Sequence, residues 1–297
     1  MAIMLPMLEM ARKGHYLYLP ALLYLYNGVN QLSDHVISKS LQRSIDLEIR
    51  AKKRYEPARS PFETTGNKII PGKRLKIGLM VMATGKYIEF AKGLIASAEN
   101  HFCKNHDVTY YVFTDGQLPE ADNVVLIPQK RLGWPQDTLM RFSVYLQHRA
   151  AWSAMDYLFA CDADMLFVDT VGDEILSDRV ATMHPGFVGL AGSPESNPAS
   201  TAYIKIQDIF RYYAGGFYGG STQEFLKLLQ TTSKHINQDA AHNFIAEWHD
   251  ESHLNRYFLD NPPTMILTPS YCYPDYTTVP FPKKLTTLAK DHKIFQV

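Results

Sequence analysis

The sequence lacks the features of several large protein classes. Its three cysteines, Cys103, Cys161 and Cys272, are odd in number and widely spaced, which argues against a disulfide framework or a zinc ribbon and favours a reducing cytosol. Thirty Lys and Arg residues balance thirty Asp and Glu residues, so the net charge gives no reason to expect nucleic acid or an anionic membrane as a partner. The longest early apolar run, 16–26, is interrupted by Pro20 and is too short to cross a bilayer, and no cleavage site follows it. We therefore predict no signal peptide and no membrane anchor.

The composition is that of a folded protein with a sizeable core, since 46% of the 297 residues are hydrophobic and 20% are charged. The polar stretch 59–73 contains Pro, Gly and Thr and is interpreted as a linker. It separates an appendage at 1–58, which has too little apolar mass for a domain of its own and is partly helical in pattern, from a main domain at 74–297. We assign no chemistry to the appendage.

The main domain alternates strand and helix patterns, which predicts an α/β fold with helical cover on the sheet. Apolar runs predict strands at 75–82, 108–113, 124–127 and 157–162, and helical spacing predicts helices at 87–102, 137–155 and 239–260. Ser221 and Glu224 have the spacing of a capping box and predict the start of another helix. Because ligands of such sheets bind beyond the carboxyl ends of the strands, we expect the functional residues there.

Two carboxylates, Asp162 and Asp164, stand directly after the apolar strand 157–161. Carboxylates at this spacing can hold one hard divalent cation, which in turn can hold a diphosphate. Asp-x-Asp is short and common, however, and a solvated acidic turn at a strand end has the same pattern.

Two further segments are open to a bland and a functional interpretation. Residues 189–200 are rich in Gly, Ser, Pro and Asn, which is typical of a mobile loop. Residues 212–220 interleave aromatic residues with glycines, which either allow a backbone to approach a ligand closely or mark a bulge.

An acidic and aromatic cluster lies at 248–253, within the predicted helix 239–260. Trp248 and Glu251 are three residues apart and share a face, so a sugar ring can stack on the indole beside the carboxylate. His249 and His253 have the spacing of two zinc ligands, but the zinc-hydrolase motif requires Glu directly after the first His, and Asp250 is there instead. Solvated polar residues on a helix remain the plain alternative.

As a set, these motifs resemble glycosyltransferase family 6, the retaining enzymes that include the histo-blood-group A and B transferases and the α1,3-galactosyltransferases. The resemblance runs from about Leu75 to the end of the chain. It rests on matching stretches in the expected order, at 86–87, 110–115, 162–165, 184–187, 202–204, 215–221 and 248–255. Residues 2–9 and 22–27, in contrast, resemble the C-terminal tail of family 2 glycosyltransferases, whose catalytic part is not in this sequence.

The family 6 resemblance implies a GT-A fold, a UDP-sugar donor and α1,3 transfer of GalNAc or Gal to a galactose-terminated oligosaccharide or glycolipid. It implies Glu251 as the catalytic carboxylate, and His184, Trp248 and Glu251 in the acceptor site. Asp162 and Asp164 fall on the metal-binding pair, which implies a divalent cation, Mn²⁺ above all. The positions implied to bind the donor are Met82, Thr84, Tyr87, Arg141, Asp162, Ala163, Asp164, Ala214, Gly215, Gly216, Asp250 and Lys290.

The donor sugar can be argued from volume. In the family, the positions of 212–216 surround the C2 substituent of the donor sugar, and Ala214 and Gly216 are small enough to leave room for an acetamido group. We therefore favour UDP-GalNAc over UDP-Gal. Bacterial members of the family imply a cytosolic enzyme without stable membrane insertion, at most peripheral at the inner membrane. A non-catalytic, glycan-binding descendant is the alternative from another functional class.

Overall fold

The centre of the fold is a seven-stranded mixed sheet, which confirms the α/β prediction. The computed structural model describes Ser44 and residues 73–208 and 211–290, so all of the predicted appendage at 1–58 except Ser44, and all of the linker at 59–73 except residue 73, lie outside the described residues. The strands of the sheet are β1 (Lys76–Met82), β2 (Asp107–Thr114), β3 (Val124–Pro128), β4 (Tyr157–Asp162), β6 (Arg179–Met183), β7 (Tyr213–Ser221) and β8 (Met265–Leu267).

The strand order is β3-β2-β1-β4-β7-β6-β8. The first four of these strands are parallel, β7 is antiparallel to both β4 and β6, and β8 is parallel to β6. A separate antiparallel pair joins β5 (Met165–Phe167) to β9 (Leu285–Thr287). The carboxyl ends of β1 and β4 meet at one edge, since Met82 is paired with Asp162.

The helices that cover the sheet are α1 (Ile88–His101), α2 (Gln136–Leu139), α3 (Arg141–Gln147), α4 (Thr222–Ala241) and α5 (His249–Asp260). One buried apolar cluster packs α1 and β5 against one face of the sheet, and a second cluster packs α3, α4 and α5 against the other face. The burial of β4 follows from this arrangement, because both of its faces are covered and Leu158, Phe159 and Ala160 have no exposed surface. None of the helices in the described parts of the chain is long and apolar enough to cross a membrane.

Two helix predictions are wrong in their extent. The helix predicted at 137–155 is divided into α2, α3 and a 3-10 segment, Arg149–Ala154, because Met140 and His148 leave helical geometry. The helix predicted at 239–260 is two elements: α4 ends at Ala241, the chain passes through a left-handed backbone conformation at Asn243, and α5 begins at His249. Apolar spacing continues through both breaks, which is why periodicity alone does not locate them.

The predicted capping box is confirmed as a helix start and is wrong in its hydrogen bonds. A helix begins after Ser221 as predicted, but the Ser221 side chain makes no capping hydrogen bond. The Glu224 carboxylate pairs with Arg179 and Lys227 instead, at 2.8 and 2.5 Å. The glycine-rich stretch, for which a bulge or a ligand contact was considered, forms the buried central strand β7. Its register against β6 shifts between Gly219 and Ala214, as at a bulge, and Gly215 and Gly216 also line the cavity described below.

Candidate active site

A cavity of about 430 Å³ opens at the edge where β1 and β4 end. Its position is the one that the sheet topology predicts for a ligand site. Thirteen of the predicted site residues line it together: Met82, Thr84, Tyr87, Arg141, Asp162, Ala163, Asp164, Gly215, Gly216, Trp248, Asp250, Glu251 and Lys290.

Two predicted site residues are not part of the cavity wall. His184 packs its ring against Phe187 and Tyr212, and its Nδ1 accepts a hydrogen bond from the N–H of Gly186, so it caps a short 3-10 turn. Ala214 is buried in the apolar cluster under the sheet. The structure therefore gives these two side chains packing and capping contacts, away from the cavity.

The two aspartates at the end of β4 each pair with a cation. Arg141 donates from Nη1 to Oδ1 of Asp162 at 2.7 Å, and its Nε lies 3.2 Å from Oδ2 of Asp250. Lys290 donates from Nζ to Oδ2 of Asp164 at 2.5 Å. Arg141 is buried, begins α3 directly after the helix break at Met140, and lines the cavity.

Burial and charge act in opposite directions on these groups. Burial lowers the pKa of Arg141, but the neighbouring charges of Asp250 and Asp162 raise it by more. The net pKa is therefore above its usual value, and the guanidinium stays charged. Burial raises the pKa of Asp164, and the charge of Asp162 adds to this while Lys290 opposes it. Burial also raises the pKa of Asp250 to about 6, against the lowering effect of Arg141.

Glu251 lies in the first turn of α5, where the corrected helix start brings it beside β7. Its Oε2 accepts a hydrogen bond from the N–H of Gly215 at 2.8 Å. Burial raises the pKa of Glu251 to about 7, although the Gly215 hydrogen bond acts to lower it. The carboxyl group therefore changes charge near neutral pH, which is a property of groups that act on a substrate.

Two tryptophans stand at the cavity. Trp248 is 48% exposed, and its Nε1 donates a hydrogen bond to Oγ of Ser193 at 2.9 Å. Trp134 is 51% exposed and meets the ring of His249 edge to face, at 4.9 Å between ring centroids. Exposed indoles beside carboxylates suit a sugar ring, which presents an apolar face and hydroxyl groups.

Five lining residues had no role in the sequence interpretation of the site: Arg131, Trp134, Asp137, Thr138 and His249, the last of which was considered only as a zinc ligand. The sequence does contain a signal for Trp134, because this tryptophan lies in the loop after β3. That loop is at the carboxyl edge of the sheet, where ligands bind. Asp137 accepts hydrogen bonds from the N–H groups of Leu132 and Gly133 and so holds this loop in place.

The zinc-hydrolase alternative finds no support in the geometry. His249 lines the cavity against Trp134, whereas His253 is buried and its Nε2 lies 3.8 Å from Oδ2 of Asp239. Within the described ranges 73–208 and 211–290, no three His, Cys, Asp or Glu residues are placed to hold a metal ion together. Three protein ligands are the rule for a catalytic zinc.

The segment 189–200 is a loop without helix or strand, as predicted, and it is tied to α4 and to the chain before α5. The buried carboxylate of Glu195 accepts hydrogen bonds from the N–H groups of Asn197 and Glu247, each at 2.8 Å. Ser200 and Thr201 donate to the two carboxylate oxygens of Asp239. The loop thus fixes both the residue before Trp248 and the acceptor of its indole N–H.

Comparisons with known proteins agree with the resemblance seen in the sequence. The family model described as Glycosyltransferase family 6 matches residues 66–296. The chain is 39% identical over 210 residues to "Histo-blood group ABO system transferase 1" of Rattus norvegicus, a match that covers 66% of this chain and 60% of the rat protein.

Two other relatives differ in source. "Globoside alpha-1,3-N-acetylgalactosaminyltransferase 1" of Homo sapiens is 34% identical, over 73% of this chain and 67% of the human protein. "O-antigen biosynthesis glycosyltransferase WbnI" of Escherichia coli is 30% identical, over 67% of this chain and 88% of the bacterial protein. The match to the rat transferase spans about three fifths of that relative's length.

Proposed function

Because the chain belongs to glycosyltransferase family 6, with a mixed sheet consistent with a GT-A-like fold, we propose that it transfers a sugar with retention of configuration from a UDP-sugar to a glycan. The single observation that carries this proposal is the arrangement of the cavity wall. Asp162 and Asp164 lie at the end of β4, each paired with a cation, and the buried carboxyl group of Glu251, whose pKa is raised to about 7, lines the same cavity.

The charges of the wall favour a divalent cation as part of the donor complex. Five carboxylates line the cavity against three Arg and Lys side chains, which leaves an excess of two negative charges when all are ionised. Such an excess of negative charge opposes the binding of a diphosphate, and additional positive charge favours it. The carboxylate oxygens of Asp162 and Asp164 fit a hard ion such as Mn²⁺ or Mg²⁺, of the kind that takes one or two protein carboxylates and substrate phosphates as ligands. Such an ion, when bound, neutralises the diphosphate leaving group.

The chain's own residues supply the rest of the chemistry. When the bond from the sugar C1 to the β-phosphate oxygen breaks, negative charge develops on UDP, and Lys290 and Arg141 lie on the side of the aspartate pair to stabilise it. The Glu251 carboxylate acts on the opposite face of C1, either as a nucleophile or by stabilising an oxocarbenium ion while the acceptor oxygen attacks. Both routes require the ionised form of Glu251.

GalNAc is the proposed donor sugar, with Gal as the alternative. Gly215 and Gly216 present bare backbone to the cavity, which leaves room beside the sugar. A Cβ atom at Gly216 would lie 3.1 Å from Sγ of Cys272 and 3.2 Å from Sδ of Met165, so the wall behind this glycine is already filled. Room for the acetamido group is therefore attributed to Gly215, where a Cβ atom would lie 3.6 Å from Oε2 of Glu251 in the cavity wall. Ala214 belongs to the buried apolar cluster.

The proposed acceptor is a galactose-terminated oligosaccharide or glycolipid that stacks on Trp248. The half-exposed indole is fixed by Ser193 and lies beside Asp250 and Glu251, which can accept hydrogen bonds from sugar hydroxyls. All three cysteines are buried and unpaired, which supports the proposal of a reducing, cytosolic location.

The experiment that tests this function is a donor screen with Mn²⁺ and a panel of galactose-terminated oligosaccharides. We expect transfer from UDP-GalNAc, with UDP-Gal used less well, and loss of transfer in excess chelator. A clear preference for UDP-Gal would refute the choice of sugar. Binding of glycans with no turnover of either donor would favour the glycan-binding alternative over the enzyme.

A further inference from the structure

The strand β7 has one edge that β4 covers only in part. Their pairing runs from Tyr157 opposite Ser221 to Cys161 opposite Phe217, and β4 then ends at Asp162. On its other edge, β7 remains paired with β6 as far as Met183 opposite Tyr213. Residues 213–216 therefore extend past β4, and this extension forms part of the cavity wall.

The side chains of α5 take the place of the missing strand. The amide of Asn255 pairs with both backbone groups of Tyr213: Oδ1 accepts from its N–H and Nδ2 donates to its C=O, each at 2.8 Å. Glu251 then accepts from the N–H of Gly215 at 2.8 Å. The two contacts alternate between Tyr213 and Gly215 as in a strand pair, in which every second residue turns its N–H to the same neighbour, and the register of β7 against β6 shifts between Ala214 and Gly219.

The two spacings match because of elementary geometry. Four residues of an α-helix rise about 6 Å, and two residues of a β-strand span about 6.8 Å. Side chains at positions i and i+4 of a helix can therefore form hydrogen bonds with the backbone of residues j+2 and j of an antiparallel strand. Asn255 also donates to the C=O of Glu251 at 2.9 Å, which ties the two positions to each other within α5.

We propose that Asn255 is a positioning residue, which holds the Glu251 carboxylate at the cavity by fixing α5 to the uncovered edge of β7. This inference rests on the proposed function, because the consequence of positioning is measured on sugar transfer. Asn255 is 2% exposed and its three hydrogen bonds reach only backbone groups, so it does not itself contact the substrate.

A reduced rate and a changed pH profile are the expected consequences of removing the amide. Asn255→Leu keeps the approximate volume and removes all three hydrogen bonds. We expect kcat to fall by about tenfold or more, since small displacements of a catalytic group are costly, while the KM for the donor stays within about twofold. The acid limb of the pH profile moves to higher pH, because the Gly215 hydrogen bond that lowers the pKa of Glu251 is weakened.

Leu254→Val is the matched control. Leu254 is the neighbouring buried residue of α5 and packs in the apolar cluster with no part in these hydrogen bonds. It should lower the melting temperature and leave the pH profile unmoved. Asn255→Ser, which leaves room for water at the three backbone groups, is the second variant should the leucine variant not fold. A folded Asn255 variant with wild-type kcat and an unmoved acid limb would overturn the proposal.

Amide exchange provides a readout that is independent of activity. In the wild-type protein we expect slow exchange at the N–H groups of Tyr213 and Gly215, and faster exchange at both in the Asn255 variants. Exchange of these two wild-type amides as fast as in an unstructured peptide would overturn the positioning role. If the wild-type protein transfers no sugar, the proposed function fails, while the exchange rates still test the contact between α5 and β7.

Discussion

The ammonium group of Lys290 lies 2.5 Å from Oδ2 of Asp164, within the carboxylate pair that is proposed to bind a divalent cation. Burial lowers the pKa of Lys290, but the charge and hydrogen bond of Asp164 raise it by more, so this cation remains charged beside the aspartate. The same ammonium group lies 5.1 Å from the centre of the Tyr87 ring. Lys290 thus occupies space next to two residues that are proposed to bind the donor.

This contact predicts competition between Lys290 and a metal ion. In Lys290→Met, we expect the affinity for Mn²⁺ without nucleotide to rise several-fold, because one oxygen of Asp164 becomes free of its cation. The KM for the UDP-sugar should rise at the same time, since Lys290 no longer reaches the diphosphate. Titration of Mn²⁺ followed by electron paramagnetic resonance measures the first effect without any turnover.

The control for this prediction is Lys283→Met. Lys283 lies over the Tyr273 ring, 4.7 Å from its centre, and is not among the residues that line the cavity. Its replacement removes the same charge from the chain and should leave Mn²⁺ affinity unchanged. Equal affinities in all three proteins would contradict a competition at Asp164.

Glu251→Gln is expected to separate activity from stability. Transfer should fall by about 10³-fold or more, because the amide can neither attack C1 nor stabilise positive charge there. Stability at pH 8 should rise by about 3 kcal/mol, because burial raises the folded-state pKa of Glu251 and the ionised carboxylate is therefore costly above that pH. Denaturant unfolding at pH 5 and pH 8 checks the second effect.

The outcome with Glu247→Gln serves as the comparison. Glu247 has an exposed side chain close in sequence, and only its backbone N–H is held by Glu195. Activity and stability should both stay near wild type. A stability gain in the Glu251 variant that is as large at pH 5 as at pH 8 would be inconsistent with a raised pKa.

The ionisation of Glu251 also predicts the direction in which kcat/KM changes with pH. Glu251 is needed as a carboxylate and its pKa is raised to about 7, so activity rises as the pH increases through that value. Asp250, with its pKa raised to about 6, sharpens the loss on the acid side. A pH profile that is flat between pH 5.5 and 8 would argue against Glu251 as the reacting carboxylate.

Arg141→Lys tests the bridge between Asp162 and Asp250. A single ammonium group cannot reproduce the two separate contacts that the guanidinium makes from Nη1 and Nε, so one buried carboxylate loses its cation. We expect about 3 kcal/mol less stability and a large fall in kcat. Thermal unfolding and steady-state kinetics check these effects, and Arg131→Lys, at the rim of the same cavity, is the comparison. Wild-type stability in the Arg141 variant would contradict the bridge.

Ser193→Ala tests the support of the proposed acceptor platform. The change removes the acceptor of the Trp248 indole N–H at a partly exposed position, so the fold should be unaffected. The KM for the acceptor is expected to rise about three- to tenfold, by the worth of one hydrogen bond, with an unchanged KM for the donor. Equal changes in the KM values for acceptor and donor would contradict a specific role of Ser193 and Trp248 in binding the acceptor.

The position of the acidic residues at the sheet edge could be predicted from the sequence, because a single apolar strand determines it. The apolar run before Asp162 fixes the end of β4, and the topology of an α/β sheet then fixes the edge at which a ligand binds. The meeting of Arg141 with Asp162 and Asp250, in contrast, depends on three elements that are far apart in the chain. The resemblance to a family assigned these residues to one site, while periodicity could not.

Other features could not be predicted because tertiary contacts decide them. The chain passes through a left-handed backbone at Asn243, between α4 and α5, and again at His249, the first residue of α5, which no local pattern requires. Glu195 is a buried carboxylate that supports the Trp248 segment, although a charged residue in a polar loop is normally solvated. The partnership of Asn255 with Tyr213 depends on where β4 ends, which is a property of the neighbouring strand.

The anomeric configuration of the transferred sugar provides the sharpest test of retaining transfer by Glu251. The wild-type protein is incubated with UDP-GalNAc, Mn²⁺ and a galactose-terminated oligosaccharide, and the product is examined by proton NMR. The account predicts a new α-linked GalNAc on the terminal galactose, formed by the wild-type protein and not by Glu251→Gln. A β-linked product, or equal transfer by both proteins, would contradict it.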